Sequence, residues 1–82
     1  MASTGQVTLK EIRDMLDACA PGARIVAKEH RNWVLYNGLT YRGLPLGEHG
    51  ARKNPAIEIG HVRRMARHLN ILDCAKKQIQ NL

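Results

Sequence analysis

Four histidines, His30, His49, His61 and His68, and two cysteines, Cys19 and Cys74, are the side chains of this sequence best suited to chemistry. No two histidines stand in a His-x-x-x-His spacing, and the cysteines are single and far apart, so neither set has the pattern of a metal site. No metal is expected. The one serine, Ser3, stands at the very start of the sequence. No Gly-rich strand-to-helix turn of the phosphate-cradling kind is present, and no pair of carboxylates sits on a recognisable scaffold. His30 differs from the rest because Lys28 and Arg31 flank it. An imidazole changes charge near neutral pH, so it can take a proton from a ribose 2′-hydroxyl or give one to a leaving oxygen. Cations beside it can hold the scissile phosphate and stabilise the charge that develops there. RNA cleavage of this kind requires neither metal nor cofactor. The plainer reading of His30 is a turn histidine with no chemistry.

The charge of the chain points to the same class of partner. Thirteen Lys and Arg against seven Asp and Glu give a formal net charge of +6 over 82 residues. A small basic domain favours polyanions, because binding neutralises phosphates and releases counterions. RNA is the partner this balance favours first, and an acidic protein is the alternative. No stretch approaches the roughly 20 apolar residues that cross a bilayer, and Met1–Val7 has neither a basic start nor an apolar run. A cytoplasmic protein without a membrane partner is the expectation. In that compartment Cys19 and Cys74 are read as reduced, structural thiols rather than a disulfide framework.

The length fits one domain, over 1–82. Hydrophobic residues make up 44% of it, yet Phe is absent and aromatics reach only 4%. The core must therefore be aliphatic, with Trp33, Tyr36 and Tyr41 as its few large side chains. Thr8-Leu9-Lys10-Glu11 reads as a capping box that opens a helix, with Val7 and Ile12 placed for a hydrophobic staple. Leu9, Ile12, Met15, Leu16 and Cys19 recur along one face of that helix, and Pro21-Gly22 ends it. Arg24–Ala27 and Trp33–Tyr36 read as strands. Asn37-Gly38 predicts a two-residue hairpin turn, with Leu39–Arg42 returning antiparallel. That turn pairs Tyr36 with Leu39 and Val34 with Tyr41 on one face, and Leu35 with Thr40 and Trp33 with Arg42 on the other.

From Gly43 to Pro55 the sequence is a loop rich in Gly and basic residues, including His49, Arg52 and Lys53. Loops of this length without structure of their own are commonly functional; the alternative is a solvated connector. A second helix begins near Gly60. Val62, Met65, Ala66 and Leu69 face its core side, while Arg63, Arg64, Arg67 and His68 are left outward. Asn70 suits a left-handed cap. The core spans about 8–71, and Leu72–Gln80 reads as a short third helix or a frayed tail.

The order of these elements resembles the HicA (YcfA-like) family over roughly Leu9 to Ile71. The segment Glu58–Ile71, with Arg63, Arg64 and Arg67 on its helix, is similar to the Arg-rich closing helix of that family, and Leu44-Pro45 resembles the Val-Pro that ends its third strand. Lys28-Glu29-His30-Arg31-Asn32-Trp33 resembles the family's Gly-Ser-His-His-x-aromatic signature, with Lys28, Glu29 and Arg31 departing from it. The resemblance implies an α+β fold of α-β-β-β-α order, with a three-stranded antiparallel sheet and two helices, like a double-stranded-RNA-binding domain. It also implies a ribonuclease toxin neutralised by a HicB-like antitoxin, with His30 as the catalytic residue. RNA would then run across Lys28, Arg31, Arg52, Lys53, Arg63, Arg64 and Arg67. A non-catalytic RNA-binding module of the same fold, and a protein-interaction module with an acidic partner, remain the competing readings.

Overall fold

The computed structural model describes residues 5–45 and 55–82. The elements run β1 (Gln6–Thr8), α1 (Leu9–Cys19), β2 (Arg24–Lys28), β3 (Arg31–Tyr36), β4 (Leu39–Pro45), β5 (Ala56–Glu58), α2 (Ile59–His68) and α3 (Leu72–Gln78). The protein is a small α+β fold, but its order is not α-β-β-β-α. Two short strands are added to the expected elements, and the segment after Ile71 is the short third helix rather than a frayed tail.

The added strands share one cause. β1 pairs antiparallel with β5, Val7 opposite Ile57, and each strand runs directly into a helix. The Leu9 amide donates to the Pro55 carbonyl at 2.9 Å and the Ile59 amide to the Gly5 carbonyl at 2.8 Å. The pair therefore satisfies amides at the starts of both long helices, which a helix cannot satisfy within itself. At the start of α1 the capping box is present. The Glu11 amide donates to Thr8 Oγ1 at 3.2 Å, and the Thr8 amide donates to Glu11 Oε1 at 2.9 Å.

The larger sheet is β2-β3-β4, antiparallel throughout. At the β3–β4 turn Asn37 has φ 53° and Gly38 φ 80°, as a type I′ turn demands, with Tyr36 opposite Leu39. The expected pairing holds through Val34–Tyr41 and then shifts, because Asn32 faces Leu44. Arg42 and Gly43 together oppose Trp33, which is a β-bulge. Gly43 belongs there for space: a Cβ on it would lie 3.2 Å from the Tyr41 hydroxyl. Beyond the bulge, buried Asn32 donates from Nδ2 to the Pro45 carbonyl at 3.0 Å, which fastens the end of β4.

One face of this sheet carries Val34 and Leu44, both fully buried, with Ile25, Tyr36, Leu39 and Tyr41 packed against the same core. The helices lie on that face. Ile12, Met15 and Leu16 of α1 meet Val62, Met65 and Ala66 of α2 and Leu69 beyond it, as the helical spacing predicts. α2 ends in a Schellman motif. Asn70 has φ 63°, the Ile71 amide donates to the Ala66 carbonyl, and the Asn70 amide donates to the Arg67 carbonyl. That reversal sends the chain back as α3, so the segment after Ile71 is a packed helix, with Ala75 and Ile79 buried.

The expectation of two free thiols is corrected. Cys19 in the last turn of α1 and Cys74 in α3 form a disulfide with their Cα atoms 5.6 Å apart. The α2–α3 reversal brings α3 against α1, which a linear reading of two distant cysteines does not reveal. No helix among the described residues is long and apolar enough to cross a membrane.

Candidate nucleic-acid interface

The second face of the three-stranded sheet has no described helix packed on it. Strand alternation and the pairing register assign its residues. Arg24, Leu35 and Thr40 form one cross-strand row, Val26, Trp33 and Arg42 the next, and Lys28, Arg31 and Pro45 the third. Arg24, Lys28, Arg31 and Arg42 are exposed, and Val26 is the one large hydrophobic residue exposed among those described, at 36%. Four cations thus surround a small apolar strip.

Trp33 is its centre. It stands on the middle strand and is half-buried. Lys28 Nζ, from β2, lies 4.7 Å from the indole centroid, and the Arg42 guanidinium carbon, from β4, also lies 4.7 Å from it. Both distances are within cation–π range. The two cations approach the ring from the strands on either side of it.

His30 lies at the end of this face, in the turn between β2 and β3. Lys28 pairs with Arg31, so the connection is two residues, Glu29 with φ 53° and His30 with φ 64°. Both are in the left-handed region, where a side chain with a Cβ is disfavoured. A turn at His30 is expected from the sequence, but its two-residue, left-handed form is not, since Glu-His lacks the Asn or Gly that such turns prefer. The His30 side chain is exposed, and no described residue makes a hydrogen bond to its ring.

No protein-family model, curated protein or solved structure matches this chain.

The residues expected from the sequence to bind RNA do not form one surface. Lys28, His30 and Arg31 are together at one end of the open sheet face. Arg64 and Arg67 are exposed on α2, in the layer on the opposite side of the sheet. Arg63 is not a free outward cation. Its Nε donates to the Leu82 carbonyl at 2.8 Å and its Nη2 to the Asn81 carbonyl at 3.3 Å, so it holds Asn81 and Leu82 against α2. His68 is likewise engaged, with Nε2 3.1 Å from the Thr40 carbonyl and its ring 5.7 Å from that of Tyr41. Arg52, Lys53 and His49 lie outside the described residues.

Arg24 and Arg42 join the basic face although neither was singled out from the sequence. The signal was present: Arg24-x-Val26-x-Lys28 alternates on one side of a strand, and the Asn37-Gly38 turn puts Arg42 beside Trp33. On the helical side, a hollow of about 640 Å³ is lined by Tyr36, Asn37, Arg67, Asp73 and the Cys19–Cys74 bridge. Its one cation and one carboxylate give it no charge preference. Among the described residues no three His, Cys, Asp or Glu side chains gather as metal ligands.

Proposed function

We propose that this protein binds RNA on the open face of its three-stranded sheet. The observation that carries the reading is the grouping of Arg24, Lys28, Arg31 and Arg42, all exposed, on one face that no described helix covers. These side chains neutralise phosphates, and the Arg guanidinium groups can form paired hydrogen bonds to phosphate oxygens. The net charge of +6 adds a long-range attraction for a polyanion. The test compares RNA affinity over a salt series for the wild type, for Lys28→Gln/Arg31→Gln/Arg42→Gln and for Arg64→Gln/Arg67→Gln. The triple variant should lose affinity at low salt and flatten the dependence of log K on log salt by about 2, at about 0.7 per phosphate contact on a single strand. The α2 double variant should behave like the wild type. Loss confined to the α2 variant would move the interface to the helical layer.

A second, more specific reading is favoured by the position of His30 beside Lys28 and Arg31 on that same face. In it the protein is a HicA-like ribonuclease toxin, controlled by a HicB-like antitoxin. The His30 imidazole accepts the 2′-hydroxyl proton, the 2′-oxygen attacks phosphorus, and the P–O5′ bond breaks as the 5′-oxygen takes a proton from the imidazolium or from water, leaving a 2′,3′-cyclic phosphate and a 5′-hydroxyl. Lys28 and Arg31 neutralise the phosphorane as charge builds on it. Replacing His30 with Ala should slow cleavage by roughly 10²–10⁴ while leaving binding intact. Equal cleavage by wild type and variant would remove His30 from the chemistry. Binding without cleavage in both would leave the RNA-binding reading alone.

A further inference from the structure

We infer that Trp33 is a stacking platform for an unpaired base, so that the RNA bound is single-stranded at this face. The inference rests on the RNA-binding reading and adds the class of RNA it takes. A tryptophan on the middle strand of a small sheet is normally turned into the core, where its large apolar area is removed from water. Here the core side is filled by Val34, Leu44 and the helices, and the half-buried indole is left on the side that no described helix covers.

The surroundings of the ring suit a base better than a protein side chain or a duplex. Val26 and Leu35, on the same face, extend the apolar strip beyond the indole. Lys28 and Arg42 both lie over the ring, so a base that stacks there displaces one of these exposed cation–π contacts, and the displaced cation is then at hand for the adjoining phosphate. Bases in an A-form duplex are stacked on one another and present only their edges, so an indole cannot reach their faces. In a single strand every base offers a π-face, which makes stacking tolerant of sequence. An acidic protein could satisfy the four cations, but it offers no planar group to the indole unless it carries aromatics, and charge alone does not call for a tryptophan at the centre.

Trp33 is the only tryptophan in the chain, so fluorescence excited beyond the absorption of Tyr36 and Tyr41 reports on this ring alone. The full-length protein is titrated with a short single-stranded RNA, the same sequence as a blunt RNA duplex, and poly-L-glutamate. Trp fluorescence is followed in each case, with anisotropy of fluorescein-labelled RNA as an independent measure of binding. The single strand should quench Trp33 in step with the anisotropy rise, and the duplex and polyglutamate should not. Trp33→Ala should weaken single-strand binding roughly 5- to 150-fold, the range for losing one stacked base, and Trp33→Phe should restore most of it. Binding seen by anisotropy with no fluorescence change, or equal affinity and quenching by the duplex, would overturn the platform while leaving RNA binding in place. Absence of an anisotropy change with any RNA at low salt would overturn RNA binding itself, and quenching by polyglutamate alone would assign the face to an acidic protein.

Discussion

The Arg42 guanidinium carbon lies 4.7 Å from the Trp33 ring centroid, at the bulge where Arg42 and Gly43 of β4 face Trp33 of β3. The bulge sets this relationship. Without the extra residue, the strand beyond Tyr41 would keep strict alternation and Leu44 would leave the core face. With it, Arg42 stays on the open face and Leu44 returns to the interior, fully buried.

Arg42 should therefore matter more to binding than to folding. Replacing it with Gln removes one exposed cation–π contact, worth about 0.5–1 kcal/mol. Urea denaturation should show a loss no larger than that. RNA binding should fall most at low salt, and the salt slope should decrease by about 0.7. A large loss of stability with unchanged binding would make the contact structural.

The Glu29–His30 turn carries backbone strain that a substitution can relieve. A left-handed conformation costs a residue with a Cβ roughly 1–2 kcal/mol, and Glu29 sits at φ 53°. Glu29→Gly should raise stability by about 1 kcal/mol after the entropic cost of glycine is subtracted. Thermal unfolding at equal pH and salt would show it as a higher Tm. A lower Tm would mean that Glu29 makes a compensating interaction.

Met65 of α2 is fully buried in the hydrophobic core, so Met65→Ala should destabilise the fold by about 2–5 kcal/mol, as large-to-small core changes do. Reversible denaturation measures this directly. A loss under 1 kcal/mol would mean that the site collapses around the smaller side chain.

The disulfide should act on stability and not on binding. It joins residues 55 apart in sequence and lies between α1 and α3, away from the basic face. Closing a loop of that length restricts the unfolded chain by about 4 kcal/mol. Cys19→Ser/Cys74→Ser should lose stability of that order and still bind RNA with wild-type affinity wherever it remains folded. Weaker binding by a folded variant would tie the helical layer to the interface.

Much of this architecture was legible because it is local. The Thr8–Glu11 capping box, the α2 periodicity from Val62 to Leu69, the Asn37-Gly38 turn and the left-handed Asn70 all follow from short-range chemistry. The β1–β5 pair was not legible, since three residues such as Gln6-Val7-Thr8 have no alternation to read and gain their partner only across the fold. The same holds for Cys19–Cys74, whose proximity depends on the reversal at Asn70. For the site, the sequence supplied Lys28, His30 and Arg31 as neighbours. It could not say that α2 lies on the other side of the sheet, because helix periodicity fixes which face is buried and not where the exposed face points relative to β2–β4. Arg63 shows the same limit: its outward spacing gave no sign that Asn81 and Leu82 would come back to meet it.

The most direct test of RNA binding on the open sheet face is an amide chemical-shift map of the isotope-labelled protein titrated with a short single-stranded RNA. The largest changes should fall on β2, on the Glu29–His30 turn, on Trp33 and its neighbours in β3, and on Thr40–Gly43, with Arg64 and Arg67 of α2 nearly unmoved. Changes concentrated on α2 and α3, with Lys28, Trp33 and Arg42 unmoved, would contradict it.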